Sequence, residues 1–433
     1  MVNHALVHVY IFENCSNLAA TPAVCQYAPS LISDPGACMT LPETPVASSP
    51  QAAAAAPAPA PASAYPPTPK VIETMVKVSD KVSDLIFSPH RPPQVELNGA
   101  LTPVAGLPVL TVADTTRIAG DLLGGNKRSI EVLKNEGSAD VSYSVPHVGR
   151  FRVNIFRQRG TYAIVMRVIP HSIPSLQDLM LPQQLADIAS LKNGVVLVTG
   201  PTGSGKSSTL AAIIRLINET KAYHIVTIED PIEFMHPHNK STIHQRELHA
   251  DTSTFALALR AALRQAPKVI LVGEMRDKET IEIALTAAET GHLVFSTLHT
   301  IDAAKTVERV IGEFPLSDQG AIRNRLSQSF RYIVSQRLLP RKDGKGRIAA
   351  IEVLKSTMRT REYVLKGEGD GRSLVDAMED GNLEGMQHFD QVLEAMVREG
   401  IISQDNALLY STNHGNLKLA LSDLPAEDSE FEP

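Results

Sequence analysis

The chain has 433 residues, too many for one ordinary compact unit, so two or three folded units are expected. Its 41 Lys+Arg against 47 Asp+Glu leave a formal net charge of −6, which gives no sign of a chain that coats nucleic acid. The three cysteines, Cys15, Cys25 and Cys38, form no Cys-x-x-Cys pair, which argues against a zinc site or a disulfide framework.

The opening run Met-Val-Asn-His-Ala-Leu-Val-His-Val-Tyr-Ile-Phe lacks a basic start, and Glu13 and Asn14 interrupt it, so it reads as an uncleaved segment. Residues 42–69 are dominated by Ala, Pro and Ser, a composition that builds no core. Residues 1–70 are therefore expected to be a disordered extension and linker, with Met39 and Met75 in frame as alternative starts. No later stretch reaches the roughly 18 uninterrupted apolar residues of a membrane span. The expectation is a cytoplasmic protein with no direct membrane span, docked on a membrane only through partners.

A globular pattern begins at Val71, where an amphipathic helix runs into a strand. Residues 150–158 and 161–169 alternate apolar with basic side chains around Gly160, the mark of a hairpin with one packed face and one arginine-bearing face. Pro170 and Pro174 mark a connector, closing a first domain over 71–175. Within 181–358, β-rich runs at 195–198, 224–228, 269–272, 292–297 and 348–353 alternate with helical ones, which argues for an α/β sheet with crossover helices. Residues 359–433 read as a helical C-terminal region with glycine breaks and an acidic, solvated tail from Glu427.

The chemistry centres on Gly200-Pro201-Thr202-Gly203-Ser204-Gly205-Lys206-Ser207, with Ser208 beside it, between an apolar strand and a helix. This is a complete phosphate-binding loop: its glycines let backbone N–H groups and a helix N-terminus face the phosphates, Lys206 reaches the β/γ-phosphates, and Ser207 ligates Mg²⁺. ATP or GTP binding follows.

Glu229, Asp230 and Glu233 follow the strand 225–228, at the edge where ligands bind an open α/β sheet, and there suit Mg²⁺ or water handling. The run 269–277 delivers Glu274 through Gly273 in a Walker-B-like way, to orient water or hold a Mg²⁺-bound water. Arg276 and Asp277 either serve that site or pair with each other. Ser296, Thr297 and His299 end the next strand, while His292 begins it; the histidines are either phosphate sensors or structural groups. A helix over 252–265 packs Phe255, Leu259, Ala262 and Leu263, leaving Arg260 and Arg264 for a subunit contact or for solvent.

Taken together, the phosphate loop, Thr-Ile-Glu-Asp-Pro-Ile-Glu-Phe (227–234), Leu-Arg-Gln-Ala-Pro-Lys-Val-Ile-Leu-Val-Gly-Glu-Met-Arg-Asp (263–277) and Thr-Ala-Ala-Glu-Thr-Gly-His-Leu-Val-Phe-Ser-Thr-Leu-His-Thr (286–300) closely resemble the type IV pilus retraction ATPases of the secretion ATPase superfamily. The resemblance runs from about Val71 to Leu421. It implies a PAS-like α+β domain joined to a RecA-like P-loop ATPase domain, assembled as a homo-hexamer with ATP and Mg²⁺ between domains and subunits. Its partners would be an inner-membrane pilus platform protein and a related pilus motor ATPase, at the cytoplasmic face of the inner membrane. The resemblance makes Glu233 the catalytic base and Glu274 the Walker B glutamate, with Glu229 beside Ser207 and Glu274 as metal candidates. It gives Arg150, Arg152, Arg159 and Arg167 a role at phosphates or the closing interface, and puts His292 and His299 in a histidine box.

Two departures bear on subtype. Pro267-Lys268 stands where the family usually has Pro-Asp, and the family's Ala-Ile-Arg-Asn-Leu-Ile-Arg-Glu is not found after Glu352. Residues 343–347 and 385–390 look more like the accessory PilU branch. A non-hydrolysing accessory subunit is therefore an alternative. A pilus-assembly or type II secretion ATPase ranks lower, because those carry a four-cysteine insertion and no cysteine follows Cys38.

Overall fold

Along residues 151–155 the buried apolar side chains of Phe151, Val153 and Ile155 alternate with outward-facing Arg152 and Asn154, the period of a strand covered on one face. The computed structural model describes residues 65–170, 172–369 and 373–425. The three cysteines, most of the extension and linker, and the acidic tail lie outside the described residues.

The first sheet is wholly antiparallel, built from β1 (Val82–Phe87), β2 (Gln94–Leu97), β3 (Ala100–Pro103), β4 (Ser138–Val145), β5 (Gly149–Gln158) and β6 (Thr161–Val168) in the order β3-β2-β1-β6-β5-β4. The expected arginine hairpin is β5–β6, and Arg152 lies directly opposite Arg167 in its register. The covered face meets the helices Thr68–Val76 and Val112–Leu123 through Val71, Ile72, Met75, Leu85, Ile118 and Phe151. The first helix begins at Thr68 rather than Val71. A capping box starts Val112–Leu123: the Asp114 N–H donates to the Thr111 hydroxyl, and the Asp114 carboxylate accepts the Thr111 N–H at 2.9 Å.

The second sheet contains β7 (Gly194–Thr199), β8 (His224–Glu229), β9 (Thr242–Glu247), β10 (Val269–Val272), β11 (Leu293–Leu298), β12 (Phe330–Pro340) and β13 (Arg347–Lys355), in the order β13-β12-β7-β11-β10-β8-β9. All neighbours are parallel except β12–β13. Near-continuous apolar strands require cover on both faces. Val195, Leu197, Val226 and Ile270 point into one core; Val196, Val198, Ile225 and Leu271 point into the other, under the helix Lys206–Thr220. The fold class is α/β, as expected.

Two strands exceed the sequence expectation. β9 is a polar edge strand, and β12 starts directly after the helix Leu316–Ser329 with no turn residue between. The helix expected over 252–265 is shorter, Phe255–Ala262, started by the Thr254 side chain accepting from the Leu257 N–H. Arg260 pairs within the chain with Glu279 at 2.7 Å.

The C-terminal helices pack on β12 and β13 through Leu339, Ile348, Phe389, Leu393 and Leu417. Arg337 lies 3.8 Å from the centroid of the buried Phe389 ring, and Asp390 accepts from the N–H groups of Thr412 and Asn413. Residues 385–390 thus anchor the C-terminal layer. Among the described residues no helix is long and apolar enough to cross a membrane.

Glu352 on β13 is buried and accepts the Ala303 N–H at 2.7 Å, at the start of the helix Ala303–Gly312. Burial pushes its carboxyl up to about 7 from 4.5. Relative to an uncharged side chain, its contribution is fully present below pH 4.5 and is lost as pH rises through about 7. Glu352→Gln should melt several degrees above wild type at pH 8, with the gap closing towards pH 5; melting curves across that range check it, and a pH-independent gap refutes it.

Candidate nucleotide site

Parallel pairing of β12, β7, β11, β10 and β8 puts their carboxyl ends on one edge of the sheet, where open α/β sheets bind ligands. The phosphate loop leaves β7 at this edge. Gly200, Gly203 and Gly205 take φ values of +142°, +79° and +92°, which side chains rarely adopt. At Gly200 the constraint is also steric: a Cβ there would lie 2.3 Å from the Gln336 carbonyl oxygen on β12. Gln336 also accepts from the Thr209 hydroxyl at 2.9 Å, tying the first turn of Lys206–Thr220 to β12.

Lys206 opens that helix and is buried. Its ammonium donates to the carbonyls of Gly200 (2.9 Å) and Pro201 (3.0 Å) and lies 3.5 Å from His299 Nδ1. Burial lowers its pKa, opposed by the charges of Glu274 and Glu233. Ser207 and Ser208 sit beside it, partly exposed in the same cleft.

Glu274 follows β10. Its two carboxylate oxygens face Arg276 at 2.6 Å and His299 Nε2 at 3.4 Å. Arg276 therefore pairs with Glu274 and not with Asp277; the latter caps Lys278–Glu289 by accepting from the Thr280 N–H and hydroxyl at 2.9 and 2.8 Å. Glu229 ends β8 half-buried. Burial raises its pKa, while donation from the Thr227 hydroxyl (2.6 Å) and Gln245 amide (3.0 Å) opposes the rise. Glu233 is exposed and lines the cleft. Thr297 donates to the Gly273 carbonyl at 2.6 Å, and Ser296 is buried within β11 rather than standing at its edge.

These groups surround a cleft of about 820 Å³ whose far wall is the first sheet, through Arg152 and Arg167. Arg167 is held by Asp84 on β1 at 3.0 Å. The other two candidate arginines are elsewhere. Arg150 turns to Glu247 on β9 at 3.0 Å, and Arg159 occupies the exposed β5–β6 turn with φ +48°. His292 precedes β11 at the opposite edge of the sheet, its Nδ1 3.0 Å from the Ala287 carbonyl, so of these two histidines His299 alone reaches the cleft, which His236 also lines. The sequence offers no local signal for Gln336, because β12 has no turn residue before it, or for His236; Arg347 falls in the segment 343–347, which bears on subtype but carries no sign of a place at the site. Arg347, at the start of β13, lines the cleft.

Residues 139–393, more than half of the chain, match the family of type II/IV secretion system proteins. The chain belongs to that family. A twitching motility protein of Neisseria gonorrhoeae is 45% identical over 321 residues, 74% of this chain and 84% of the relative. The type IV pilus retraction ATPase PilT of Pseudomonas aeruginosa is 43% identical over 325 residues, 75% and 93% of the two chains. A crystal structure of the pilus retraction motor PilT with bound ADP superposes with a TM-score of 0.72 at 41% identity, covering 81% of this chain and 98% of that one. This secretion ATPase thus has a PAS-like first sheet, a RecA-like second sheet and a helical C-terminal region.

In this secretion ATPase, Gly200→Ala meets backbone on β12, whereas a Cβ at Gly203 has nothing within 4 Å. Calorimetry with ADP should find Gly200→Ala weaker by about tenfold or more and Gly203→Ala by only a few-fold, from dihedral strain alone. Equal losses would refute the role given to the β12 contact.

Proposed function

We propose that this ATPase is a hexameric motor that couples ATP hydrolysis to type IV pilus retraction. The observation that carries the reading is the single cleft in which the Lys206 loop and the carboxylates of Glu233 and Glu274 face arginines from the first sheet. A phosphoryl-transfer site needs these parts: a backbone cradle, carboxylates to orient water, and cations for charge that grows on the phosphates. The first domain (71–175) provides the arginines, and the ATPase domain (181–358) provides the rest.

Lys206, once its loop carbonyls give way to phosphate oxygens, balances their charge. Glu233 is the base that accepts the proton of the attacking water, and Glu274, fixed by Arg276 and His299, orients that water. Arg152 and Arg167 stabilise the transferring group, and His299 reports on it to Glu274 and Lys206. Mg²⁺ suits the donor set: Ser207 would hold it directly and Glu229 and Glu274 would hold its waters, because Mg²⁺ favours few protein ligands alongside phosphate oxygens. When bound, the ion shields phosphate charge. Among the described residues no cluster of three or more His, Cys, Asp or Glu forms a separate metal site.

Opening and closing of the wall formed by the first sheet links hydrolysis to motion. In a homo-hexamer at the cytoplasmic face of the inner membrane, that motion acts on a pilus platform protein, alongside a related motor ATPase. Steady-state turnover of Lys206→Ala and Glu274→Ala should fall at least about a hundredfold. Cells carrying Lys206→Ala in place of wild type should accumulate pili and lose twitching. Wild-type turnover in both variants sinks the site; bald cells sink the direction of work; tight ATP binding without turnover in the wild-type chain, alone and with its partner motor, would make it an accessory subunit.

A further inference from the structure

The segment that carries Glu233 belongs to no strand or helix, yet its backbone is held at every second residue by edge strand β9. Glu247 Oε2 accepts the Ile232 N–H at 3.0 Å. The Gln245 amide accepts the His236 N–H and donates to the Phe234 carbonyl, both at 2.8 Å. Gln245 and Glu247 are two apart on β9, so they share one face and act as a ladder rung made of side chains. Holding 232, 234 and 236 leaves 233 and 235 outward, and both Glu233 and Met235 are exposed. The orientation of Glu233 into the cleft is therefore set from behind, by β9.

Glu247 is itself buried, at 4% exposure, and its backbone N–H is tied to Asp251 at 2.8 Å. A buried carboxylate requires a counter-charge. That charge comes from the other sheet: Arg150 Nη2 on β5 donates to the same Oε2 at 3.0 Å, while Nη1 donates to the Ser144 hydroxyl at 3.2 Å. One oxygen atom thus receives both the first sheet and the Glu233 segment.

We propose that Arg150 and Glu247 form a positioning link, through which docking of the first sheet on β9 sets Glu233 for hydrolysis and undocking releases it. Arg150 acts through Glu247 and touches no phosphate; the charge-handling arginines are Arg152 and Arg167. The link makes the competence of the carboxylate depend on the posture of the first sheet, the coupling that a motor needs. It rests on the reading of Glu233 as the base.

The test uses the full chain with Arg150→Met, Arg150→Lys, Glu247→Gln, the Arg150→Met/Glu247→Gln double variant and Glu233→Gln, measuring kcat, KM for ATP, Kd for ADP and melting temperature. Glu247→Gln keeps an acceptor for Ile232 and removes only the charge. Arg150→Met and Glu247→Gln should each lower kcat by about tenfold or more, with KM and Kd within about threefold. The double variant should be no worse than the poorer single variant, and Arg150→Lys should recover most of the loss. Wild-type kcat in Arg150→Met and Glu247→Gln beside an inactive Glu233→Gln overturns the link alone. Additive losses, or parallel falls in nucleotide affinity and melting temperature, overturn it as a merely structural pair. Wild-type turnover in Glu233→Gln removes the reading of the site and the link with it.

Discussion

Parallel pairing is the constraint on which the site depends. Because β7, β8, β10 and β11 run the same way, the four segments that follow them emerge on one edge, although they are scattered from Gly200 to His299. No single segment makes a site. The phosphate loop lacks a carboxylate, the 229–233 segment lacks a cation, and Glu274 needs Arg276 and His299 to fix it. The helices on both faces keep the sheet dry and its strands in register, so the edge is presented as a rigid row.

Much of this was legible in sequence, for local reasons. The phosphate loop, the strand-end carboxylates and the β5–β6 hairpin each declare themselves within one short contiguous stretch, through glycine spacing or through apolar alternation around a turn. What escaped was non-local. β12 has no turn residue to separate it from the preceding helix, so Gln336 could not be placed under the loop. β9 reads as polar because one side of an edge strand faces water, yet Gln245 and Glu247 on it frame the Glu233 segment. Arg150 and Arg152 look alike in sequence, but Arg152 lines the nucleotide cleft and Arg150 meets Glu247. His292 and His299 are separated by the whole length of β11, and so lie at opposite edges of the sheet.

One segment, 343–347, ends in Arg347 at the cleft; the other departures from the retraction pattern fall away from the chemistry. Lys268 is exposed just before β10, at the amino end of the strand that delivers Glu274 from its other end. Residues 353–355 finish β13, and the altered segment continues into the helix Met358–Lys366. The segment 385–390 supplies Phe389 and Asp390 to the C-terminal packing. Changes at these places alter surfaces and layer contacts while leaving Lys206, Glu233 and Glu274 in their positions.

β12 carries two neighbours with different obligations. Gln336 holds the phosphate loop from beneath, and Arg337, pointing to the other face, lies against the Phe389 ring and donates to the Tyr410 carbonyl. The catalytic edge and the C-terminal layer are thus one peptide bond apart, back to back on a strand paired on both sides. Whatever docks against the C-terminal helices therefore bears on the same strand that supports the phosphate loop.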